Sequence, residues 1–306
     1  MLKLHYVKLF LVPVLWGGAL VAGRVVAPNL PPFTTAFLRF LAVSLFLLPF
    51  LYAREGGFPR LSRRSALLLV VLSLSGVMMF NFFLFSGLRT VTAVRSAVFI
   101  AFTPTVVALV SAVFFRERIT ILMGIGIVAA FIGAVVTITN GEIGMVLSKA
   151  VSTGDLFLLG CVVMWTIYSI TAKYAMGELA PFTLLTYGSL LGSILMVPFV
   201  LREGAIFTLN TQPPETWYGL LYLSIGAAGI AYLWYYEGIK AVGAPRAAIF
   251  LNLEPVAAMV LGIVILDEGV TLPVLIGAVL VITGLVLTNY RPRPNKPSDL
   301  PSSIEK

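Results

Sequence analysis

Residues 86–120 read SGLRTVTAVRSAVFIAFTPTVVALVSAVFFRERIT, and residues 237–271 read EGIKAVGAPRAAIFLNLEPVAAMVLGIVILDEGVT. The two stretches align without a gap at a shift of 151 residues. Pro104 then matches Pro255, and Glu117 matches Glu268. Self-similarity at a fixed distance indicates that the chain contains two copies of one structural unit.

Other matches extend this repeat over most of the chain. A shift of 149 residues aligns the earlier parts of the two copies, so that Trp16 matches Trp165. Four glycines also match, and their spacing at whole helical turns predicts close packing between helices: Gly126, Gly133, Gly277 and Gly284.

The composition places the chain in a membrane. Of its 306 residues, 59% are hydrophobic and only 11% are charged, and the mean hydropathy is +1.01. About 20 apolar residues form one helical span. The sequence therefore predicts an all-α integral membrane protein with ten transmembrane helices, near residues 6–26, 33–53, 65–87, 91–115, 120–139, 153–174, 181–201, 216–237, 244–266 and 271–290.

These runs divide the chain into two five-helix units. Residues 1–140 form the first repeat, residues 141–152 the connecting loop and residues 153–290 the second repeat. Residues 291–306 are polar and rich in proline, which predicts a disordered cytoplasmic tail. Because five is an odd number, the second repeat enters the membrane from the opposite side, so the two repeats are predicted to be inverted around a central cavity.

The distribution of Lys and Arg predicts the orientation, because cytoplasmic connections carry an excess of both. Alternate connections hold 15 such residues on the side of the N-terminus and five on the other. Both termini are therefore expected in the cytoplasm. The first group is Lys3, Lys8, Arg54, Arg60, Arg63, Arg64, Arg116, Arg118, Lys173, Lys240, Arg246, Arg291, Arg293, Lys296 and Lys306; the second is Arg24, Arg89, Arg95, Lys149 and Arg202.

Several classes of function are disfavoured by what the sequence lacks. The single His5 and the single Cys161 leave no His-based metal cluster and no intrachain disulfide. The sequence also contains no phosphate-binding G-x-x-x-x-G-K-[ST] motif. We expect neither an enzyme nor a cofactor. The net charge of +8 reflects topology and attraction to lipid headgroups, and no nucleic acid is expected as a partner.

The segments PTVVALVSAVFFRERITILMGIGIVAAFIGAVV and PVAAMVLGIVILDEGVTLPVLIGAVLVITGLVL share one pattern: a proline, an apolar helix, Glu-x-x-Thr and a glycine-spaced helix. This pattern resembles the signature of EamA-type transporters in the drug/metabolite transporter superfamily. The resemblance implies a ten-helix fold with a central cavity between the halves. Bacterial relatives of this kind commonly export amino acids and similar metabolites.

Glu254 is the first candidate for the substrate pathway, with its repeat mate Thr103. An ionised side chain in mid-helix costs roughly 2.5–3.5 kcal/mol in lipid, and such residues usually serve function. Glu254 could contact a substrate ammonium or take up a proton. The alternative is a structural acid that bonds backbone groups freed by the neighbouring proline. Asn252 and Asn81 are further candidates, although a buried amide can also bond across helices.

Pro104 and Pro255 occupy matching positions and predict a bend in mid-helix in each repeat. The bend could expose carbonyls to the cavity and act as a hinge, or it could be a fixed kink that packing requires.

Aromatic side chains form a second candidate group. Trp16 and Trp165 lie in the middle of their spans, and Tyr168 shares a helical face with Trp165. They predict a cavity wall, with ordinary helix packing as the alternative. Tyr232 and its neighbours are expected in the interfacial belt, and Arg39 is expected to extend to the outer membrane surface, with substrate contact as its alternative.

The function that these features predict is secondary transport. We expect a bacterial inner-membrane protein that exports amino acids, including aromatic ones, and similar small metabolites by alternating access. The scarcity of cations within the spans disfavours anionic cargo. The alternatives are a carrier of other metabolites or drugs in the same superfamily and a non-saturable channel. The expected partners are a small-molecule substrate and the lipid bilayer, while oligomeric state and coupling ion stay open.

Overall fold

The computed structural model describes residues 2–115, 120–141, 152–242, 250–251 and 253–289. These residues form helices joined by turns, and no β-strand occurs among them. Asn252, the tail 291–306 and most of the predicted connection 141–152 lie outside the described residues.

The first half contains six α-helical segments. They are α1 (Leu2–Val26), α2 (Pro32–Glu55), α3 (Arg63–Leu72), α4 (Phe80–Leu88), α5 (Ala93–Phe115) and α6 (Ile121–Thr139). A π-helical segment, Ser73–Met79, joins α3 to α4, so the three form one continuous helix, Arg63–Leu88. The sequence pattern did not predict this change of helix type.

The second half has the same organisation. It consists of α7 (Thr153–Ala175), α8 (Pro181–Glu203), a short 3-10 helix (Ala205–Thr211), α9 (Pro214–Leu221), α10 (Ala231–Val242), α11 (Glu254–Leu266) and α12 (Leu272–Asn289). A second π-helical segment, Tyr222–Ile230, joins α9 to α10. The two π-helical segments begin 149 residues apart, which is the repeat shift of this part of the chain.

The helices identify a multi-pass membrane protein. Seven of the helices in the described residues are long and apolar enough to cross a membrane: Lys3–Val26, Pro32–Glu55, Arg63–Leu88, Ala93–Val110, Thr153–Ala175, Pro181–Glu203 and Pro214–Tyr235. Three shorter apolar helices are Ile121–Thr137, Glu254–Leu266 and Leu272–Thr288. Large apolar side chains such as Ile121 and Val264 are exposed on the outside of the bundle, as contact with lipid requires.

Local chemistry explains where α2 begins and ends. Pro32 occupies its first turn, where the missing N–H has no intrahelical acceptor. Gly56 follows its last residue with a φ of 67°, the left-handed conformation that closes helices. The sequence predicted this helix near 33–53, so its bounds agree within two residues.

The two halves repeat their side-chain hydrogen bonds as well as their helices. In each half, hydroxyl groups donate to a carbonyl four residues earlier in their own helix. The matching donor and acceptor pairs are Ser75 to Val71 and Ser224 to Leu220, then Ser44 to Phe40 and Ser193 to Ser189, then Thr137 to Gly133 and Thr288 to Gly284.

Equivalent helices of the two halves pack in opposite directions. At the start of α2, the backbone N–H of Thr34 donates to the Glu203 carboxylate at the end of α8, at 2.7 Å. At the other end of this pair, the guanidinium carbon of Arg54 lies 5.6 Å from the ring centre of Phe182, in the first turn of α8. Each helix start therefore contacts the end of its partner, so α2 and α8 are antiparallel.

The four matched glycines join α6 to α12 in the same antiparallel manner. A Cβ atom on Gly126 would lie 2.7 Å from the carbonyl oxygen of Gly284. A Cβ atom on Gly133 would lie 2.6 Å from the carbonyl oxygen of Gly277. Because backbone occupies that space, a larger side chain has no room. The predicted close helix packing at these glycines is confirmed.

We expect Gly277→Val to destabilise the fold by about 1–3 kcal/mol, because the new side chain meets backbone that cannot rotate away. The measurement is the unfolding midpoint of the purified protein in detergent. Gly124→Val is the matched control, since no atom lies within 4 Å of a Cβ at Gly124 on α6. Equal midpoints for the two variants would contradict the packing argument.

Candidate functional site

Arg39 lies inside the helix bundle, not at the membrane surface. Its side chain leaves α2 and is only 9% exposed. One guanidinium nitrogen, Nη1, donates to Oδ1 of Asn81 at 3.1 Å. The expectation that Arg39 extends to the outer surface is wrong, because its face of α2 packs against the helix that carries Asn81 and not against lipid.

Asn81 connects Arg39 to the first π-helical segment. Its Nδ2 donates to the carbonyl oxygens of Gly76 at 3.1 Å and Val77 at 2.9 Å. A π-helical turn displaces carbonyls from the regular α-helical ladder, and such turns occur frequently at functional sites. Asn81 is buried, with 1% of its surface exposed. Because its Nδ2 donates to these two carbonyls, its amide oxygen is directed at Arg39.

Trp165 and Tyr168 pack on the same segment from α7. Their ring centres are 5.1 Å apart, as expected for neighbours on one helical face. The Trp165 ring also lies 4.9 Å from that of Phe80. Gly76 provides the space, because any Cβ there would collide with the Tyr168 ring. The role of these two residues as a cavity wall stays a prediction.

Trp16 makes the corresponding contact with the second π-helical segment. Its indole Nε1 donates to the carbonyl oxygen of Ala227 at 2.8 Å. Its ring centre lies 5.1 Å from that of Tyr232 and 5.5 Å from that of Tyr235, both in edge-on geometry. Tyr232 and Tyr235 therefore belong to an interior aromatic cluster with Trp16. The expectation that most of this stretch lies in the interfacial belt is wrong for Tyr232 and Tyr235, because both rings pack against Trp16 of α1.

Glu254 lies in the first turn of α11, beside α1. Its side chain is half-buried and has no hydrogen-bond partner within the described part of the chain. A Cβ on Gly17 would lie 2.9 Å from the carbonyl oxygen of Glu254, so this glycine lets the two helices touch. Tyr232 packs against the apolar cluster that holds Val43, one turn after Arg39 on α2, and its ring contacts Trp16, the neighbour of Gly17. The structure thus gathers Glu254, Arg39 and Tyr232 in one interior region.

The two matched prolines lie in different settings. Pro255, expected at a break or bend in mid-helix, lies in the first turn of α11, where the chain enters through a turn at Leu253 and a proline removes no needed donor. Pro104 lies within α5, as expected. Thr103 is buried, and its hydroxyl donates to the Phe99 carbonyl of its own helix at 3.4 Å. Pathway contact for Thr103 and a hinge at either proline stay predictions.

Asn252 lies outside the described residues, so its predicted role has no structural counterpart here. The described residues contain no group of three His, Cys, Asp or Glu side chains that could hold a metal ion. Two apolar grooves lie on the described helices. One, of about 380 Å³, is lined by residues between Tyr218 and Gly226, and the other, of about 500 Å³, lies along one face of α6. No residue of the candidate site lines either groove.

Polar contacts join the two halves at the end that holds the starts of α2, α5 and α7. The Glu268 carboxylate accepts hydrogen bonds from the backbone N–H groups of Ala93 and Val94, each at 2.8 Å. Arg95 forms a salt bridge of 2.8 Å with the fully buried Asp155. The acid of the second Glu-x-x-Thr pattern thus caps a helix of the other half, away from Glu254.

Glu178 joins the halves at the opposite end. Its carboxylate accepts hydrogen bonds from the hydroxyls of Ser65 and Ser62 and forms a salt bridge of 3.1 Å with Arg64. The Ser65 hydrogen bond above all, with the Ser62 hydrogen bond and the positive charge of Arg64, holds the pKa of Glu178 below its ordinary value. The carboxylate therefore stays ionised and bonded at neutral pH.

Comparison with known proteins supplies the family. The model of the EamA-like transporter family matches residues 4–139 and again residues 152–290. The uncharacterized transporter YetK of Bacillus subtilis is 28% identical over 98% of this chain and 91% of its own length. An uncharacterized transporter of Archaeoglobus fulgidus is 28% identical over 94% of this chain and 97% of its length.

Two further comparisons also cover most of the chain. The uncharacterized inner membrane transporter YicL of Salmonella typhimurium is 23% identical, over 92% of this chain and 93% of its own length. A solved crystal structure superposes with a TM-score of 0.63 at 20% identity and covers 93% of this chain and 97% of that chain. At this identity the superposition supports the fold alone.

Proposed function

The chain belongs to the EamA-like transporter family, and from that membership and the interior site we propose that it carries amino acids across the inner membrane. It works as a secondary transporter by alternating access, without ATP. The substrates are amino acids, including aromatic ones, and similar small metabolites. Net movement is outward, and both termini lie in the cytoplasm.

The antiparallel packing of equivalent helices supports an inverted repeat of ten spans. The starts of α2 and α8 each contact the end of the other helix, and the glycines of α6 and α12 meet in reverse order. Two oppositely oriented halves can exchange conformations and open a shared site to either side. This arrangement favours a carrier over a channel, the second candidate, because a channel needs no such exchange.

The proposed substrate class rests mainly on the environment of Glu254. Its carboxylate lies among apolar helices without a hydrogen-bond partner in the described residues. An intramembrane carboxylate that lacks a resident partner is suited to a substrate ammonium group. The Trp16 and Tyr232 rings, 5.1 Å apart, lie nearby and suit an apolar or aromatic side chain.

The charges around Glu254 support a zwitterionic or neutral substrate over a phosphorylated one. A phosphate group calls for several cations, as in most phosphate sites. Arg39 is the cation buried in the described interior region. A single guanidinium falls short of the several cations that a dianionic phosphate group calls for.

Purified protein in liposomes tests the proposal. The vesicles are challenged with labelled amino acids, sugar phosphates, nucleobases and cationic drugs, with and without a proton gradient. We expect saturable flux of labelled amino acids, and we expect unlabelled amino acids to inhibit this flux by competition. Flux restricted to phosphorylated solutes or hydrophobic cations would exclude amino acids as the substrate, while flux that never saturates would favour a channel.

The orientation has its own test, by labelling single cysteines in intact cells with an impermeant thiol reagent. In a Cys161→Ala background, we expect Asn210→Cys to react, since Asn210 is exposed and follows the end of α8 that the proposed orientation puts outside. Glu55→Cys, at the exposed end of α2, stays protected until the cells are opened. The reverse pattern would place both termini outside the cytoplasm.

A further inference from the structure

Arg39 is a buried cation with no anion bonded to it among the described residues. It is 9% exposed, and its hydrogen bond is to the neutral amide of Asn81. Its Nε atom is buried and has no hydrogen-bond partner in the described part of the chain. The three salt bridges among the described residues, Lys8–Glu237, Arg64–Glu178 and Arg95–Asp155, do not include it.

Such a group is costly unless something neutralises it. The effective penalty for burying an unpaired ion is several kcal/mol, and truncating one partner of a buried pair is strongly destabilising for that reason. Buried hydroxyl groups such as those of Ser44 and Thr186 avoid a smaller desolvation cost, because each donates to a carbonyl of its own helix. Arg39 donates to no backbone acceptor within the described ranges of the chain. The guanidinium N–H groups of Arg39 that are unbonded among the described residues are suited to the carboxylate of a ligand.

Arg39 and Glu254 approach the same interior region from different halves. Arg39 lies on α2 and Glu254 on α11, and no salt bridge joins them. Tyr232 on α10 packs with Val43, one turn after Arg39, and its ring lies 5.1 Å from that of Trp16, whose neighbour Gly17 contacts the Glu254 backbone. The guanidinium and the carboxylate therefore flank a common neighbour without bonding to each other, which is the arrangement that binds a molecule carrying both an acid and an ammonium group.

We propose that Arg39 binds the carboxylate of a zwitterionic substrate while Glu254 binds its ammonium group. This inference rests on the proposed function and narrows it from amino acids and similar metabolites to solutes that carry both a free carboxylate and an ammonium. Tyr232 and Trp16 then face the substrate's side chain. Asn81 is a positioning residue, since it anchors one guanidinium nitrogen and leaves the others for the substrate.

Competition binding with two probes tests the assignment. The purified protein binds labelled L-phenylalanine, and unlabelled L-phenylalanine or L-phenylalaninamide competes. The amide keeps the ammonium and the ring but lacks the charged carboxylate. We expect the parent to bind L-phenylalanine about tenfold more tightly than the amide or better, since a charge-assisted hydrogen bond contributes roughly 1.5–3 kcal/mol.

Substitution of Arg39 should remove that preference. In Arg39→Gln, the affinity for L-phenylalanine falls to that of the amide, so their ratio approaches one, while the affinity for the amide stays within about twofold. Arg39→Lys keeps the charge without the planar fork and retains part of the ratio. Arg89→Gln, at an exposed position, is the matched control and keeps the parent's ratio.

Distinct outcomes separate the two levels of the proposal. A parent that neither binds nor transports amino acids overturns the proposed function and this inference with it. A parent that binds L-phenylalanine and its amide equally overturns the inference alone, whether or not the Arg39 variants fold. A folded Arg39→Gln that keeps the parent's ratio also overturns it.

Discussion

We expect Glu254→Gln to lower the proposed amino-acid transport by about tenfold to a hundredfold, because the amide retains the size of the side chain but cannot neutralise an ammonium group. This range corresponds to the loss of a charge-assisted hydrogen bond of roughly 1.5–3 kcal/mol. The carboxylate has no hydrogen-bond partner within the described residues, so the substitution leaves no protein group unpaired. Expression and the unfolding midpoint should therefore match those of the parent.

The measurement is initial flux of labelled amino acid into liposomes over a range of substrate concentrations and pH values. Glu215→Gln is the matched control, since Glu215 is an exposed acid in the first turn of α9. If Glu254 carries a proton and not the substrate, the variant loses gradient-driven uptake but keeps exchange of one substrate molecule for another. Transport identical to the parent at every pH would remove Glu254 from the mechanism.

Glu268→Ala destabilises the protein by roughly 2–4 kcal/mol, because it removes two hydrogen bonds from a carboxylate to backbone N–H groups. Those N–H groups belong to Ala93 and Val94 at the start of α5, where no earlier turn supplies an acceptor. The carboxylate also carries negative charge at the positive end of the helix dipole. Both effects are lost together in the variant.

The unfolding midpoint in detergent measures this loss, with Glu215→Ala as the control for removing an exposed acid. Since Glu268 lies at a helix end away from the Arg39 and Glu254 region, the affinity for substrate should stay within about twofold of the parent. A midpoint equal to that of Glu215→Ala would show that the Glu268 cap does not hold the two halves together. A large loss of affinity at unchanged stability would place Glu268 in the substrate site.

Helix positions were predictable from sequence because apolar runs and their punctuation are local. The run near 181–201 becomes α8, Pro181–Glu203, with a proline in the first turn and Gly204 in the left-handed conformation after the last residue. The π-helical segments were not predictable in this way. Ser73–Met79 has the apolar character of its neighbours, and hydropathy does not distinguish a π-helical turn from an α-helical one.

The candidate site was harder to predict because contacts between distant residues define it. Arg39 lies near the start of α2, a position from which an arginine can extend to the membrane surface. Its hydrogen bond to Asn81, 42 residues away in the sequence, places it inside the helix bundle. Tyr232 has the position of an interfacial residue but packs on Trp16.

Counterflow measures the central claim most directly, namely that the protein is a carrier whose site opens alternately to the two sides. Liposomes containing the protein are loaded with unlabelled L-phenylalanine and diluted into a trace of the labelled compound. A carrier returns labelled substrate inward as unlabelled substrate leaves, so we predict a transient accumulation of label above its equilibrium level. Label that only rises to equilibrium, at a rate proportional to concentration, would contradict alternating access.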